Sequence, residues 1–196
     1  MLRNNLAILL AERQLKITRV ANDTGISRTT LTALVQNENK MIQNETINKL
    51  CRYLNTSPTF FFEFIPMDFS FSFELTEGYY LFESKEKEGH EPDGYNIEGY
   101  LNIDAETGTD TIEYSGLLED LGNDGFRSHI FDIYIEPATD NEKNKINALL
   151  INISQGFITD ITKIISEKIK EKLQNDNWNF GEHSNLTINL LNKKNK

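Results

Sequence analysis

The side chains able to do chemistry in this 196-residue chain fall into two sets, and only one of them is organised. The scattered set holds what an enzyme or a metal centre would need. His90, His129 and His183 stand far apart, without the helical ligand spacing of an HExxH motif. Ser115 and Ser128 are nucleophiles in type, but no motif places a lysine base beside either. Glu83, Glu86, Glu88, Glu91 and Asp93 form a charge run that reads as a solvated loop, and the phosphate-cradling GxGxxG and GxxxxGK patterns are absent. These residues predict no enzyme, no metal and no cofactor. The organised set is KITRVANDTGISRTTLTALVQNENK, residues 16–40, in which cations, hydroxyls and amides are interleaved with apolar residues and punctuated by Gly25. Its chemistry depends on the elements that carry it.

From Leu2 to Phe64 the apolar residues recur at three and four, the period of an amphipathic helix. The breaks predict five short helices. The first buries Leu6, Leu9 and Leu10 and runs to about Arg13. The second runs from about Thr18 to Thr24 with Val20 and Ala21 inward, and Gly25 ends it because the sharp turn calls for a residue that tolerates positive φ. Ser27 is the N-cap of the third, which extends to about Gln36 and buries Leu31 and Leu34. The fourth spans Asn44 to Leu54, and Ser57 with Pro58 marks the start of a fifth, whose Phe60, Phe61, Phe62 and Phe64 need burial. Pro66 closes the module.

Beyond Pro66 the period changes to two. Strands are predicted at 69–75, 79–83, 95–103, 111–117 and 130–136, with turns at Gly78, 89–94, 106–110 and 122–125. An apolar stripe from Ile146 to Leu173 then predicts one long amphipathic helix or two, with Gly156 as the place for a break, and 185–191 reads as a last strand. The expected whole is an all-α module, 1–66, followed by an α+β domain, 67–196, built on an antiparallel sheet.

Charge divides the chain at the same place. Residues 1–66 hold eight Lys/Arg against five Asp/Glu, residues 67–196 twelve against twenty-five, so that +3 and −13 make up the net −10. An acidic protein is a poor partner for phosphate when its charge is mixed, but segregation leaves a mildly basic module free of that objection. The lone cysteine, Cys51, excludes an intrachain disulfide or a multi-thiolate zinc site, and its place in INKLCRYL faces it inward. No stretch approaches the roughly 18 apolar residues of a membrane span, and no signal peptide is visible, so a cytoplasmic protein with no membrane partner is expected.

Residues 3–66 resemble the helix-turn-helix of the phage repressor family that includes the lambda-type repressors and Cro proteins. The resemblance is carried by Ala21, Gly25, Ile26, Ser27, Leu31 and Leu34 and by TINKLCRYLNTSP at 46–58. Ala21 is small where two helices cross, Gly25 makes the turn, and Ile26, Leu31 and Leu34 form the wedge that fixes the helix angle. The resemblance implies that the third helix enters the major groove, with Arg28, Thr29, Thr32 and Ala33 at base edges. There Arg28 suits guanine O6 and N7, while the hydroxyls and methyls suit bases and thymine methyl groups. It implies phosphate contacts from Ser27 and Thr30, where amides and dipole favour an anion, and from Arg19, Gln36, Asn37, Asn39 and Lys40. The family's usual glutamine brace at the start of the second helix is Ile17 here, which leaves Lys16 or Thr18 to supply that contact.

The implied partner is a double-stranded DNA operator, bound by a homodimer because one module grips only one half-site. The acidic domain is the expected dimeriser; core packing explains most of its aromatic set, Phe69, Phe71, Phe73, Tyr79, Tyr80, Phe82, Tyr95 and Tyr100, which could also line a ligand pocket or a surface for an antirepressor protein, while a toxin would be the partner of an antitoxin-type regulator. A self-cleaving domain is disfavoured, since neither Ala-Gly nor Cys-Gly occurs. The expected function is a transcriptional repressor, with an antitoxin-type autoregulator as the alternative.

Overall fold

A computed structural model describes residues 1–39, 41–80, 92–123, 129–176 and 184–190 and divides the chain into two units, Met1–Pro66 and Met67–Lys196. In the first unit the apolar spacing produces helices α1 (Leu6–Glu12), α2 (Ile17–Thr24), α3 (Arg28–Val35), α4 (Asn44–Leu54) and the single turn α5 (Pro58–Phe61). Each long helix buries one stripe. Leu6, Leu9, Leu10, Val20, Ile26, Leu31, Leu34, Leu50, Cys51, Leu54 and Phe61 form one core. Gly25 closes α2 at φ +71°, donating its N–H to the Ala21 carbonyl at 2.9 Å, and Asn55 closes α4 in the same left-handed region. Cys51 is buried, and that desolvation pushes its thiol pKa up.

The expectation of an all-α module needs correction. Strand β1 (Leu2–Asn4) pairs antiparallel with β2 (Phe62–Phe64), with Leu2 opposite Phe64 and Asn4 opposite Phe62. The phenylalanine run is also not buried as a set. Phe61 is fully buried and Phe62 half-buried, but Phe60 and Phe64 face solvent. The physical reason is that the helix stops after one turn, with Phe61 on its inner side and Phe60 on its outer side, and the three-residue β2 that follows cannot continue the helical stripe.

The second unit is a five-stranded sheet in the order β3 (Met67–Tyr79), β4 (Gly94–Ala105), β5 (Gly108–Asn123), β6 (His129–Pro137), β7 (Asn185–Ile188). The first four strands form an antiparallel meander. β7 lies parallel to β6, so the sheet is mixed rather than antiparallel as expected. That orientation follows from the connection, because α6 (Asp140–Leu150) and α7 (Gln155–Asn175) carry the chain back before β7 begins. The helical break falls at residues 151–154, ahead of Gly156, which sits in the first turn of α7. Gly78 makes a bulge inside β3 rather than a turn. The strand residues expected at 81–83 and the tip at 124–125 lie outside the described residues.

One face of this sheet carries Phe69, Phe71, Phe73, Ile97, Leu101, Ile103, Ile112, Tyr114, Leu118, Phe131, Ile133 and Ile135, all buried, and Phe157, Ile161, Ile165, Ile169 and Leu173 of α7 repeat every four residues to match it. The fit is tight at Gly116, which pairs with Ile135. A Cβ there would stand 2.1 Å from the Tyr134 carbonyl oxygen. α6 is fixed by Thr139, whose hydroxyl accepts the Glu142 N–H at 3.2 Å, and by the Glu142 carboxylate, which accepts from Lys145 at 2.8 Å and from the Glu113 backbone N–H of β5 at 3.3 Å. The bond from Lys145 chiefly holds the Glu142 carboxyl below the usual range. Among the described residues the sheet's other face is exposed and mixes carboxylates with Tyr100, Leu117 and Tyr134, and the five strands carry no Lys or Arg.

Candidate nucleic-acid interface

The exposed side of the first unit is organised around α3. Its first turn is capped by Ser27, whose hydroxyl accepts the Thr30 N–H at 3.1 Å and lies 2.8 Å from the Thr30 hydroxyl. The cap leaves Ser27 solvent-facing, with Arg28 and Thr29 beside it and Thr32 one turn on, all exposed. Ala33 is half-buried. On the opposite side Leu31 and Leu34 are wholly buried, so the helix cannot rotate those four residues inward without exposing its core contacts. Arg28, Thr29 and Thr32 therefore make one face that projects a guanidinium and two hydroxyls.

α2 supplies the flank. Lys16, Thr18 and Arg19 are exposed at its start, and Arg19 is 3.5 Å from Asp23, which also accepts the Tyr53 hydroxyl of α4 at 2.6 Å. The Asp23 carboxylate, by that hydrogen bond first, raises the Tyr53 pKa, and the contact ties α2 to α4. Ile17 packs against the core and, as a hydrocarbon side chain, has no group to bond a phosphate as a glutamine would.

The other end of α3 departs from expectation. Gln36 is exposed, but Asn37 turns inward. Its Oδ1 accepts the Asn4 backbone N–H at 2.7 Å and the Asn4 Nδ2 at 2.8 Å, and its Nδ2 donates to the Asn4 carbonyl at 3.1 Å. Asn4, buried, also donates to the Leu34 carbonyl at 2.9 Å and accepts the Leu6 N–H at 3.0 Å. Asn37 is therefore a latch between α3 and β1, and its amide is already engaged on both sides, so the phosphate role expected of it does not fit. Asn39 is half-buried, with an Oδ1 that has no hydrogen-bond partner among the described residues. Lys40 lies outside them.

Sequence reasoning missed the start of α4. Gln43, Thr46 and Lys49 line a cleft of about 390 Å³ together with Ser27, Thr30 and Asn39; Glu45 lines it too, with its carboxylate 2.9 Å from the Lys49 Nζ, so an anion near the first turn of α3 would meet the amide and hydroxyls and compete with Glu45 for Lys49. The available signal was the polar spacing of Gln43, Thr46 and Lys49 at three residues, one face of the fourth helix.

Two helices crossing at a glycine turn, the second capped and polar outward, have the geometry of a groove reader, and the family of Cro/C1-type HTH DNA-binding domains matches residues 5–67. Residues 5–67 are a Cro/C1-type helix-turn-helix domain. The chain is thus a DNA-binding transcription regulator. No curated protein and no solved structure matches it. In this helix-turn-helix domain α2 and α3 are the paired helices, and β1, which pairs with β2, is bonded to the C-terminal end of α3 through Asn4 and Asn37. Among the described residues no helix is long and apolar enough to cross a membrane.

Proposed function

We propose that the chain is a sequence-specific repressor of the phage or mobile-element type, which occupies a double-stranded operator as a homodimer and acts by binding alone. The observation that supports this most is the capped α3, with Arg28, Thr29 and Thr32 outward over a buried Leu31 and Leu34. In this reading Arg28, Thr29, Thr32 and Ala33 read base edges. Lys16, Thr18, Arg19, Ser27, Thr30, Gln36, Asn39 and Lys40 hold phosphates, joined by Gln43, Thr46 and Lys49. Asn37 drops out. Residues 67–196 serve dimerisation and the response to an inducing signal.

The test is a duplex selected from a random-sequence pool, compared with an unselected one. Arg28→Ala weakens binding to the selected duplex by about 1–3 kcal/mol and leaves the unselected duplex much less affected. Equal losses on both would remove Arg28 from base reading. Placed across a promoter, the selected site lowers reporter output when the protein is present, and raised output would make it an activator. The antitoxin-type autoregulator is the second reading, favoured by the uncovered sheet face without Lys or Arg, which suits a basic partner protein. Co-purification with the product of an adjacent gene, and rescue of growth from that product, would select it.

A further inference from the structure

The sheet of the second unit ends on β3, and that edge is long. Among the described residues β4 is the strand that pairs with β3, so the other side of β3 turns alternate backbone N–H and C=O groups to no strand. β7, at the opposite edge, has four residues, whereas β3 keeps an unbroken register from Met67 to Leu75. Open edges of this kind template pairing with another chain, and folds ordinarily blunt them with Pro, Lys or bulges. β3 has neither Pro nor Lys, and its bulge lies past Leu75.

Its two faces say what strand would fit. Phe69, Phe71 and Phe73 are buried on the face where α7 packs, so the inward side chains of an added strand would extend an apolar row. The other face exposes Ser70, Ser72 and Glu74, with the exposed Glu98 of β4 directly opposite Glu74. Carboxylates directly opposite repel, and a cation on a neighbouring strand relieves that repulsion. β3 and β4 carry no Lys or Arg, so a second copy of β3 would bring the same carboxylates and no cation. The occupant that matches both faces alternates apolar with basic residues.

We propose that β3 is a strand-addition site, on which an extended segment of a partner protein, alternating apolar residues with Lys or Arg, docks by backbone pairing between Met67 and Leu75. The inference rests on the partner-protein reading and moves its contact from the sheet's open face to its edge. The test titrates the full chain with a peptide of about eight residues, Lys alternating with Val, which spans that regular stretch. The peptide binds and slows amide hydrogen exchange at residues 67–75. The same peptide with its backbone nitrogens methylated keeps its charge but cannot donate to a strand, and binds on the order of tenfold more weakly. A Glu-Val peptide does not bind. Glu74→Lys, which sets a cation opposite Glu98, raises the thermal midpoint yet weakens the Lys-Val peptide on the order of tenfold, whereas a damaged fold would lower the midpoint. Equal binding of the methylated peptide, or protection confined to other strands, would overturn edge addition while leaving a basic partner for the open face. Equal binding of the Glu-Val peptide would overturn the charge of the occupant. Binding of neither lysine peptide would remove a basic partner from edge and face alike.

Discussion

Among the described residues Tyr114 is buried with its polar atom uncompensated. It is among the largest fully buried side chains, its ring meets Phe71 edge-on at 6.1 Å, and its hydroxyl has no hydrogen-bond partner among the described residues. Burial drives its pKa upward, because the charged phenolate would be desolvated there. A buried polar atom without a partner costs about 1–3 kcal/mol relative to one that is bonded. Tyr114→Phe is therefore expected to leave stability unchanged or raise it by up to about 1 kcal/mol, read from urea midpoints at constant slope. A loss beyond that would reveal a bonded partner for the hydroxyl. Arg28 and Asn37 make the contrast at this scale. Both are polar residues at the ends of α3, and the sequence reads them alike as DNA contacts. Exposure of Arg28 follows from its position next to a cap, which is local. The inward turn of Asn37 follows from a backbone strand 33 residues away, which no local pattern contains.

At the scale of elements, α3 is held at both ends by different means. Ser27 satisfies a first-turn amide, and Asn37 pairs with both backbone groups of Asn4 much as a neighbouring strand would. Asn37→Ala leaves that N–H and carbonyl unpaired in a half-buried place and is expected to cost about 1–3 kcal/mol of stability. Chemical denaturation followed in the first unit measures it. The affinity of the folded fraction for unselected duplex should not change, since the amide reaches no phosphate. A drop there would restore the phosphate role. The helix boundaries of α2, α3 and α4 were legible because glycine, serine and apolar spacing act within a turn or two of themselves. β1 and β2 were not, because three residues are too few to show a period and the pairing partner lies about sixty residues on.

For the whole molecule, charge segregation is the main electrostatic fact. The open sheet face sets Glu74 beside Glu98, and the described strands carry no Lys or Arg. Like charges directly opposite oppose sheet formation, and their summed field opposes the approach of a polyanion. The double variant Glu74→Gln, Glu98→Gln is expected to raise thermal stability slightly and to tighten binding to unselected duplex severalfold at low salt, measured by fluorescence anisotropy. The gain should vanish at 1 M salt, where the screening length is about 3 Å. Unchanged unselected affinity at low salt would show that this face exerts no field on DNA.

The sequence by itself determined the two-part layout, the order of helices through α4, the turn at Gly25, the cap at Ser27 and the outward chemistry of Arg28, Thr29 and Thr32. All of these depend on interactions between residues a few positions apart, or on a periodicity that any short window displays. Only the tertiary structure decided that the first strand closes on the last residues of the helix-turn-helix unit, that Asn37 serves that closure, that β7 joins the sheet parallel to β6, and that Leu2 and Phe64 remain outside. Those outcomes rest on pairings between distant segments, where the winner is whichever partner satisfies the most backbone groups and covers the most apolar surface at once.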